Sequence, residues 1–172
     1  MSVQEYISES KIKARVQELA EQINKDFEGE ELHIVGVLNG SFIFCADLVR
    51  HLKVPVTLDF ISASSYGDDM ESSGHLTINL DIKDDIADKN VLIVEDIVDT
   101  GLTISSLREN LLKRDPKKLC LVSLLYKPAR LTHKVDIDYL AFEIEDKFVI
   151  GYGLDYAGRY RELPYIGVYS HD

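Results

Sequence analysis

Basic residues are in short supply. Against 30 Asp and Glu stand only 19 Lys and Arg, a net charge of -11 over 172 residues. That balance argues against a nucleic-acid partner, which needs a cationic face for the phosphates. Proline and glycine are also few, 4 and 10, and 45% of the residues are apolar. A disordered or fibrous chain is excluded, and one domain spanning 1–172 can bury a real core. There is no repeat or low-complexity block. No stretch approaches the roughly 20 apolar residues of a membrane span, and MSVQEYISESKIKARVQ at the start has no basic run leading into an apolar one. A cytoplasmic protein without a membrane partner is expected. Cys45 and Cys120 stand alone inside apolar stretches and read as buried thiols. The five histidines show no HExxH spacing, so neither a zinc centre of that type nor a Cys-His nucleophile is supported.

What is present is a regular syntax. Ile12, Val16, Leu19, Ala20, Ile23 and Phe27 recur at helical spacing from Ser10 to Phe27, with Ser8 or Ser10 available as the cap and Gly29 as the stop. HIVGVL (33–38) reads as a buried strand, followed by the Asn39-Gly40-Ser41 turn and a helix from Phe42 to Leu52. VTLDFISA (56–63), VLIVED (91–96) and LCLVSLLY (119–126) are further strands, and Ile104 to Lys113 is a helix. Strands alternating with helices predict an α/β fold with a doubly wound, mostly parallel sheet. Two segments depart from this. The polar run 62–77 is long for a connection and reads as a mobile lid loop; 138–163 reads as short β pieces, so that 138–172 forms part of a small cap or hood.

The chemistry concentrates in VLIVEDIVDTGLT (91–103), where an apolar strand runs into carboxylates, hydroxyls, a glycine and a helix. In an open parallel sheet, ligands bind at the carboxyl ends of the strands, where Glu95, Asp96, Asp99 and Thr100 fall. The turn through Gly101, Leu102 and Thr103 enters a helix amino terminus, whose unpaired N–H groups suit a phosphate. The nucleotide-loop pattern GxxxxGK[ST] is absent, and GYG (151–153) lacks the third glycine of a dinucleotide loop. Carboxylates beside a phosphate need separate work. Glu95 and Asp96 can accept from vicinal ribose hydroxyls or hold Mg2+, and Asp99 can take or give a proton.

This stretch resembles the phosphoribosyl pyrophosphate motif of the type I phosphoribosyltransferases, and the chain is similar to their bacterial hypoxanthine-guanine branch over roughly residues 30–169. VLNGSFIFCADL (37–48), Ser65-Tyr66-Gly67, VSLLYKPAR (122–130), DKFVIGYGLDY (146–156) and Arg161-Glu162-Leu163 carry the likeness in order. The resemblance implies that Glu95 and Asp96 serve the ribose hydroxyls and their Mg2+, that Asp99 is the general base near N7 of the purine, and that Asp99 to Thr103 cradle the 5'-phosphate. It implies that Lys127 donates to O6 of a 6-oxopurine, Phe148 stacks on the base and the Val149 backbone reads its edge. It assigns Asp155 to a pyrophosphate-side Mg2+ and Arg161 to the pyrophosphate. The amides of Asn39 and Gly40 complete that pocket beside a cis Leu38–Asn39 peptide, although relatives often carry Lys or Arg where this chain has Asn39. Ser65 and Tyr66 belong to the lid, with Tyr66 at its tip.

The implied reaction joins hypoxanthine or guanine to phosphoribosyl pyrophosphate, giving the nucleoside 5'-monophosphate and pyrophosphate, in a homodimer or homotetramer. Two other readings stay open on sequence. One is a transferase of the same fold for another base; the other is a non-catalytic regulator sensing nucleotides.

Overall fold

The computed structural model describes residues 2–66 and 75–170. The elements run in chain order as β1 (Ser2–Ile7), α1 (Glu9–Asp26), β2 (Leu32–Val37), α2 (Phe42–Arg50), β3 (Val56–Tyr66), β4 (His75–Leu80), β5 (Asn90–Val98), α3 (Leu102–Leu112), β6 (Lys118–Tyr126), β7 (Tyr139–Glu143), β8 (Val149–Ile150) and β9 (Ile166–Ser170). A single 3-10 turn, Pro128–Arg130, lies between β6 and β7.

Six strands form the main sheet in the order β4-β3-β2-β5-β6-β7. Every pairing in it is parallel except that of β3 with β4. The central strands β2 and β5 are buried on both faces, which is why they read as continuous apolar runs and not as alternating ones. One face packs Ile34, Leu92, Val94 and Val122 against Ile12, Val16, Leu19 and Ile23 of α1 and Phe44 and Leu48 of α2. The other packs Val35, Val37, Ile93 and Leu121 against Ile104, Leu107 and Leu111 of α3. Helices on both faces make the sheet doubly wound, as expected. Each fully buried Leu, Ile or Val contributes about 1.5–3 kcal/mol, so the two layers hold the strand ends in fixed relation.

Local chemistry sets the boundaries. Ser8 is the cap of α1, its Oγ accepting the Lys11 N–H at 3.3 Å. Cys45 and Cys120 are buried, and desolvation pushes the Cys45 thiol up to about 11, which leaves it an inert core group.

Three differences from the sequence reading are instructive. The expected loop over 62–77 is a hairpin at both its ends: β3 runs on to Tyr66 and pairs antiparallel with β4. Its middle, 67–74, where the lid falls, lies outside the described residues. Within the tail, β7 joins the main sheet beside β6 and does not belong to a hood. The small second sheet has the order β1-β9-β8, so the amino-terminal strand, which carried no signal of its own, completes it.

Candidate active site

Connections from β2 step outward to β3, while those from β5 step outward to β6 and β7, so the order reverses between β2 and β5. The crevice at their carboxyl ends is therefore where a ligand of such a sheet binds. Residues 38–40 leave β2 there, beside residues 95–98 at the end of β5. The approach is close: a Cβ on Gly40 would lie 1.7 Å from Asp96 Oδ2, and a Cβ on Gly153 would lie 2.1 Å from the Gly40 carbonyl oxygen. At Gly153, with φ +101 and fixed backbone opposite, only glycine fits; at Gly40 a side chain would displace the Asp96 carboxylate. The Leu38–Asn39 peptide is cis.

Behind Gly153 stands Arg161, whose Nη1 donates to the Gly153 carbonyl at 2.6 Å and whose Nη2 is 3.2 Å from Asp155 Oδ1. Asp155 Oδ2 accepts the Gly158 N–H at 2.8 Å. Asn39, Gly40, Asp155 and Arg161 thus share one wall, although they are spread over more than 120 residues of sequence.

The floor is acidic. Glu95 is only 8% exposed. It accepts the Asp96 N–H at 2.9 Å, and no described cation pairs with it. Burial, reinforced by the Asp96 charge, raises its carboxyl pKa well above the ordinary 4.5. The sign of the consequence follows. The unfolded carboxyl ionises near its ordinary value and the folded one only at higher pH, so stability falls as pH climbs through the interval between them. Glu95→Gln should therefore raise the Tm of the ligand-free protein at pH 8, by on the order of 2–4 °C per kcal/mol relieved, with the gain shrinking towards pH 4. Calorimetry at the two pH values checks this; an equal gain at both would mean the carboxyl is not strained by its charge.

Between β5 and α3 lies a hollow of about 110 Å³ lined by Glu95, Ile97, Val98, Asp99, Thr100, Gly101, Thr103 and Ile104. Asp99, Thr100, Gly101 and Thr103 of the expected phosphate loop are among them. Gly101 precedes α3 with φ +84, and a Cβ there would lie 2.3 Å from the His133 carbonyl oxygen. The glycine is thus required by the 131–135 segment, which the Thr100 carbonyl also holds through the Thr132 and His133 N–H groups. Thr103 Oγ1 meets Ser65 Oγ at 2.6 Å, tying the end of β3 to the first turn of α3. A roomier hollow of about 420 Å³ lies at the opposite, amino-terminal end of the sheet. None of the expected site residues lines it, so chemistry and not volume identifies the site.

Asp99 and Lys127 come from neighbouring strand ends, the Lys127 N–H donating to the Val98 carbonyl at 3.0 Å. Arg130 Nε lies 2.8 Å from Asp99 Oδ1, yet its N–H is not directed at that buried oxygen, which receives no hydrogen bond. Arg130 Nη1 also reaches Asp146 at 3.8 Å, which draws the 146–148 segment toward the same corner. Lys127 is 6% exposed, and its ammonium makes no hydrogen bond or ion pair among the described residues. Phe148, by contrast, is 51% exposed and packs in T-shaped contacts with Tyr156 and Tyr169 at centroid distances of 5.7 and 6.2 Å. A large aromatic held in place yet half open offers a stacking face. Val149 follows it into β8, paired with Val168. Sequence reasoning missed Arg130 and Gly153. Arg130 stands within VSLLYKPAR, but only the fold brings it against Asp99.

Adjacent carboxylates at a switch point, a glycine turn into a helix amino terminus and a small second sheet beside them are those of an α/β protein whose site lies at the strand ends. The chain belongs to the phosphoribosyltransferase family: residues 2–157 match the phosphoribosyl transferase domain. The hypoxanthine phosphoribosyltransferase of Salmonella typhimurium is 48% identical over 168 residues, 96% of this chain and 94% of that one. The hypoxanthine-guanine phosphoribosyltransferase of Dictyostelium discoideum is 47% identical over 171 residues, 97% and 95% of the two chains. The crystal structure of a Bacillus anthracis hypoxanthine-guanine phosphoribosyltransferase superposes with a TM-score of 0.94 at 46% identity, covering 98% of this chain and 100% of that one.

Proposed function

We propose that this chain is a purine salvage enzyme, transferring the phosphoribosyl group of phosphoribosyl pyrophosphate to hypoxanthine or guanine with release of pyrophosphate. The observation that carries the choice of base is Lys127. Lys127 is a mostly buried residue whose ammonium has no partner among the described residues, and an acceptor supplied by the ligand would give it one. The exocyclic O6 of a 6-oxopurine is such an acceptor; the amino group of adenine would present a second donor.

The remaining residues take their parts around that contact. Phe148 stacks on the purine and the Val149 backbone meets its edge. Asp99 accepts the proton leaving N7 as the new bond forms, its Oδ1 being buried and free of a directed donor. The Asp99–Thr103 loop holds the 5'-phosphate through backbone N–H groups and the α3 dipole, without a full positive charge. Glu95 and Asp96 accept from the ribose hydroxyls and stabilise the positive charge that grows on the ribose ring as pyrophosphate departs. Arg161, with the amides of Asn39 and Gly40, binds pyrophosphate. Ser65 and Tyr66 lead into the lid that keeps water from the ribosyl centre.

Mg2+ suits the donor set: Glu95 is a buried carboxyl with no cation beside it among the described residues, Asp96 adjoins it, and Asp155 stands on the proposed pyrophosphate wall. These residues would hold it, and when bound it neutralises the pyrophosphate. The reaction takes place in the cytoplasm on this reading.

The test is pyrophosphate release with hypoxanthine, guanine, xanthine and adenine in turn. The 6-oxopurines should be used and adenine refused. Lys127→Ala should cut kcat/KM for hypoxanthine by roughly 10- to 150-fold, the equivalent of about 1.5–3 kcal/mol for a charged donor, and narrow the gap to adenine. If the variant lost thermal stability alone, with base preference intact, Lys127 would be a strand-end residue and the base assignment would fail.

A further inference from the structure

At the amino end of the sheet, away from the crevice between β2 and β5, three side chains from three separate segments converge. They are His33 at the start of β2, Asp59 on β3 and Asp84 in the connection between β4 and β5. One ring nitrogen of His33 and one carboxylate oxygen from each aspartate lie within 4.8 Å of one another. We propose that His33, Asp59 and Asp84 form a binding site for a divalent transition-metal ion of the Zn2+ type.

His33 supplies the independent pointer to a ligand. It is 2% exposed, and its Nε2 has no hydrogen-bond partner. A buried imidazole nitrogen left unpaired is an exception among native structures and demands a partner. The other nitrogen is engaged: Nδ1 lies 2.6 Å from Thr57 Oγ1, on the residue that the parallel register sets opposite His33. Fixing one nitrogen through a second residue is how metal-binding histidines are oriented, with the free nitrogen directed at the ion. Asp59 is fixed as firmly. Its Oδ1 accepts the Phe60 N–H at 2.9 Å, and its Oδ2 accepts those of Lys83 at 2.6 Å and Asp84 at 3.2 Å. Oδ2 is thereby filled and Oδ1 keeps a lone pair for an ion, whereas Asp84 is exposed and able to swing.

The donor set decides the class of ion. One imidazole and two carboxylates make a borderline N/O set that suits Zn2+ and leaves a position for water, whereas Ca2+ and Mg2+ prefer oxygen alone. Zinc bonds of about 2.0–2.2 Å place tetrahedral ligand atoms roughly 3.4 Å apart, a contraction that Asp84 can supply by rotation. Two carboxylates balance a doubly charged ion. Lys89 is the one cation among the charged groups that act on the ring, and it opposes the ion from the β5 side. Filling the site would tie β2, β3 and the 81–89 segment together.

The experiment is Zn2+ binding by equilibrium dialysis, with excess Mg2+ occupying the catalytic carboxylates, on the wild-type chain, Asp84→Asn and His33→Gln. Thermal unfolding of the same samples and Co2+ absorption in the visible are followed in parallel. The wild type should bind one Zn2+ roughly 10- to 100-fold more tightly than either variant, show Co2+ bands that both variants lack, and unfold at a higher temperature when Zn2+ is present. Asp84 is exposed, so its variant should fold and decides the matter even where His33→Gln does not. Equal Zn2+ affinity and equal thermal shifts in wild type and Asp84→Asn would overturn the proposal and leave the three side chains bridged by water.

Discussion

Asp99→Asn should lower the rate of the chemical step by about 100- to 10,000-fold while leaving phosphoribosyl pyrophosphate binding within a few-fold of wild type. The amide keeps the shape of the carboxylate and can still lie beside Arg130, but it cannot take up the N7 proton. The prediction depends on what surrounds Asp99. Arg130 Nε is 2.8 Å from Oδ1 without a directed hydrogen bond, so the carboxylate is placed by the guanidinium yet not saturated by it. A structural carboxylate at the mouth of a helix would ordinarily be capped by its amides. Single-turnover measurement is the right readout, because product release or lid opening often limits kcat and would hide a slower chemical step. A wild-type single-turnover rate in the variant would remove Asp99 from proton transfer. Loss of substrate binding equal to the loss of rate would recast it as part of the phosphate loop.

The parts of this molecule that could be read from sequence are those whose signals are local. Val91 to Val94 are apolar on both faces because β5 is central, and the change from that run to Glu95, Asp96, Asp99 and Thr100 marks the strand end whatever lies elsewhere. β4 and β1 escaped for the opposite reason. HLTINL and SVQEYI are edge segments of mixed exposure, and each becomes a strand only through hydrogen bonds from a partner, the preceding β3 for one and β9 at the far end of the chain for the other.

The same division runs through the site. The composition of the 95–103 stretch announces an anion site, but the Arg130 contact with Asp99 arises from the parallel pairing of β5 with β6, which sequence alone does not reveal. Gly101 was legible as part of the turn into α3, and the reason that only glycine serves there was not. The carbonyl of His133, thirty-two residues on, occupies the space a side chain would need. His33, Asp59 and Asp84 follow the same logic, since their meeting depends on the register of β2 against β3 and on the fold-back of the 81–89 segment.

Removing Mg2+ should abolish turnover outright, and the charge of the molecule is the reason to expect it. A protein of net charge -11 binds a ligand carrying both a 5'-phosphate and a pyrophosphate. The cations near the proposed pocket are few: Arg161 is already engaged with Asp155 and Arg130 with Asp99 and Asp146, and the proposal gives Lys127 to the base. Backbone amides and the α3 dipole suffice for one phosphate but not for pyrophosphate beside Glu95, Asp96 and Asp155. With chelator present, turnover should therefore fall to background and return on adding Mg2+ alone, whereas raising NaCl should not restore it, because general screening does not replace an ion held between ligand and carboxylate. Asp155→Ala should then raise the Mg2+ concentration needed for half-maximal rate, with the rate at saturating Mg2+ much less affected. Full activity in EDTA would contradict this account of how so acidic a chain holds so anionic a substrate, and an unchanged Mg2+ requirement in Asp155→Ala would return that residue to a plain ion pair with Arg161.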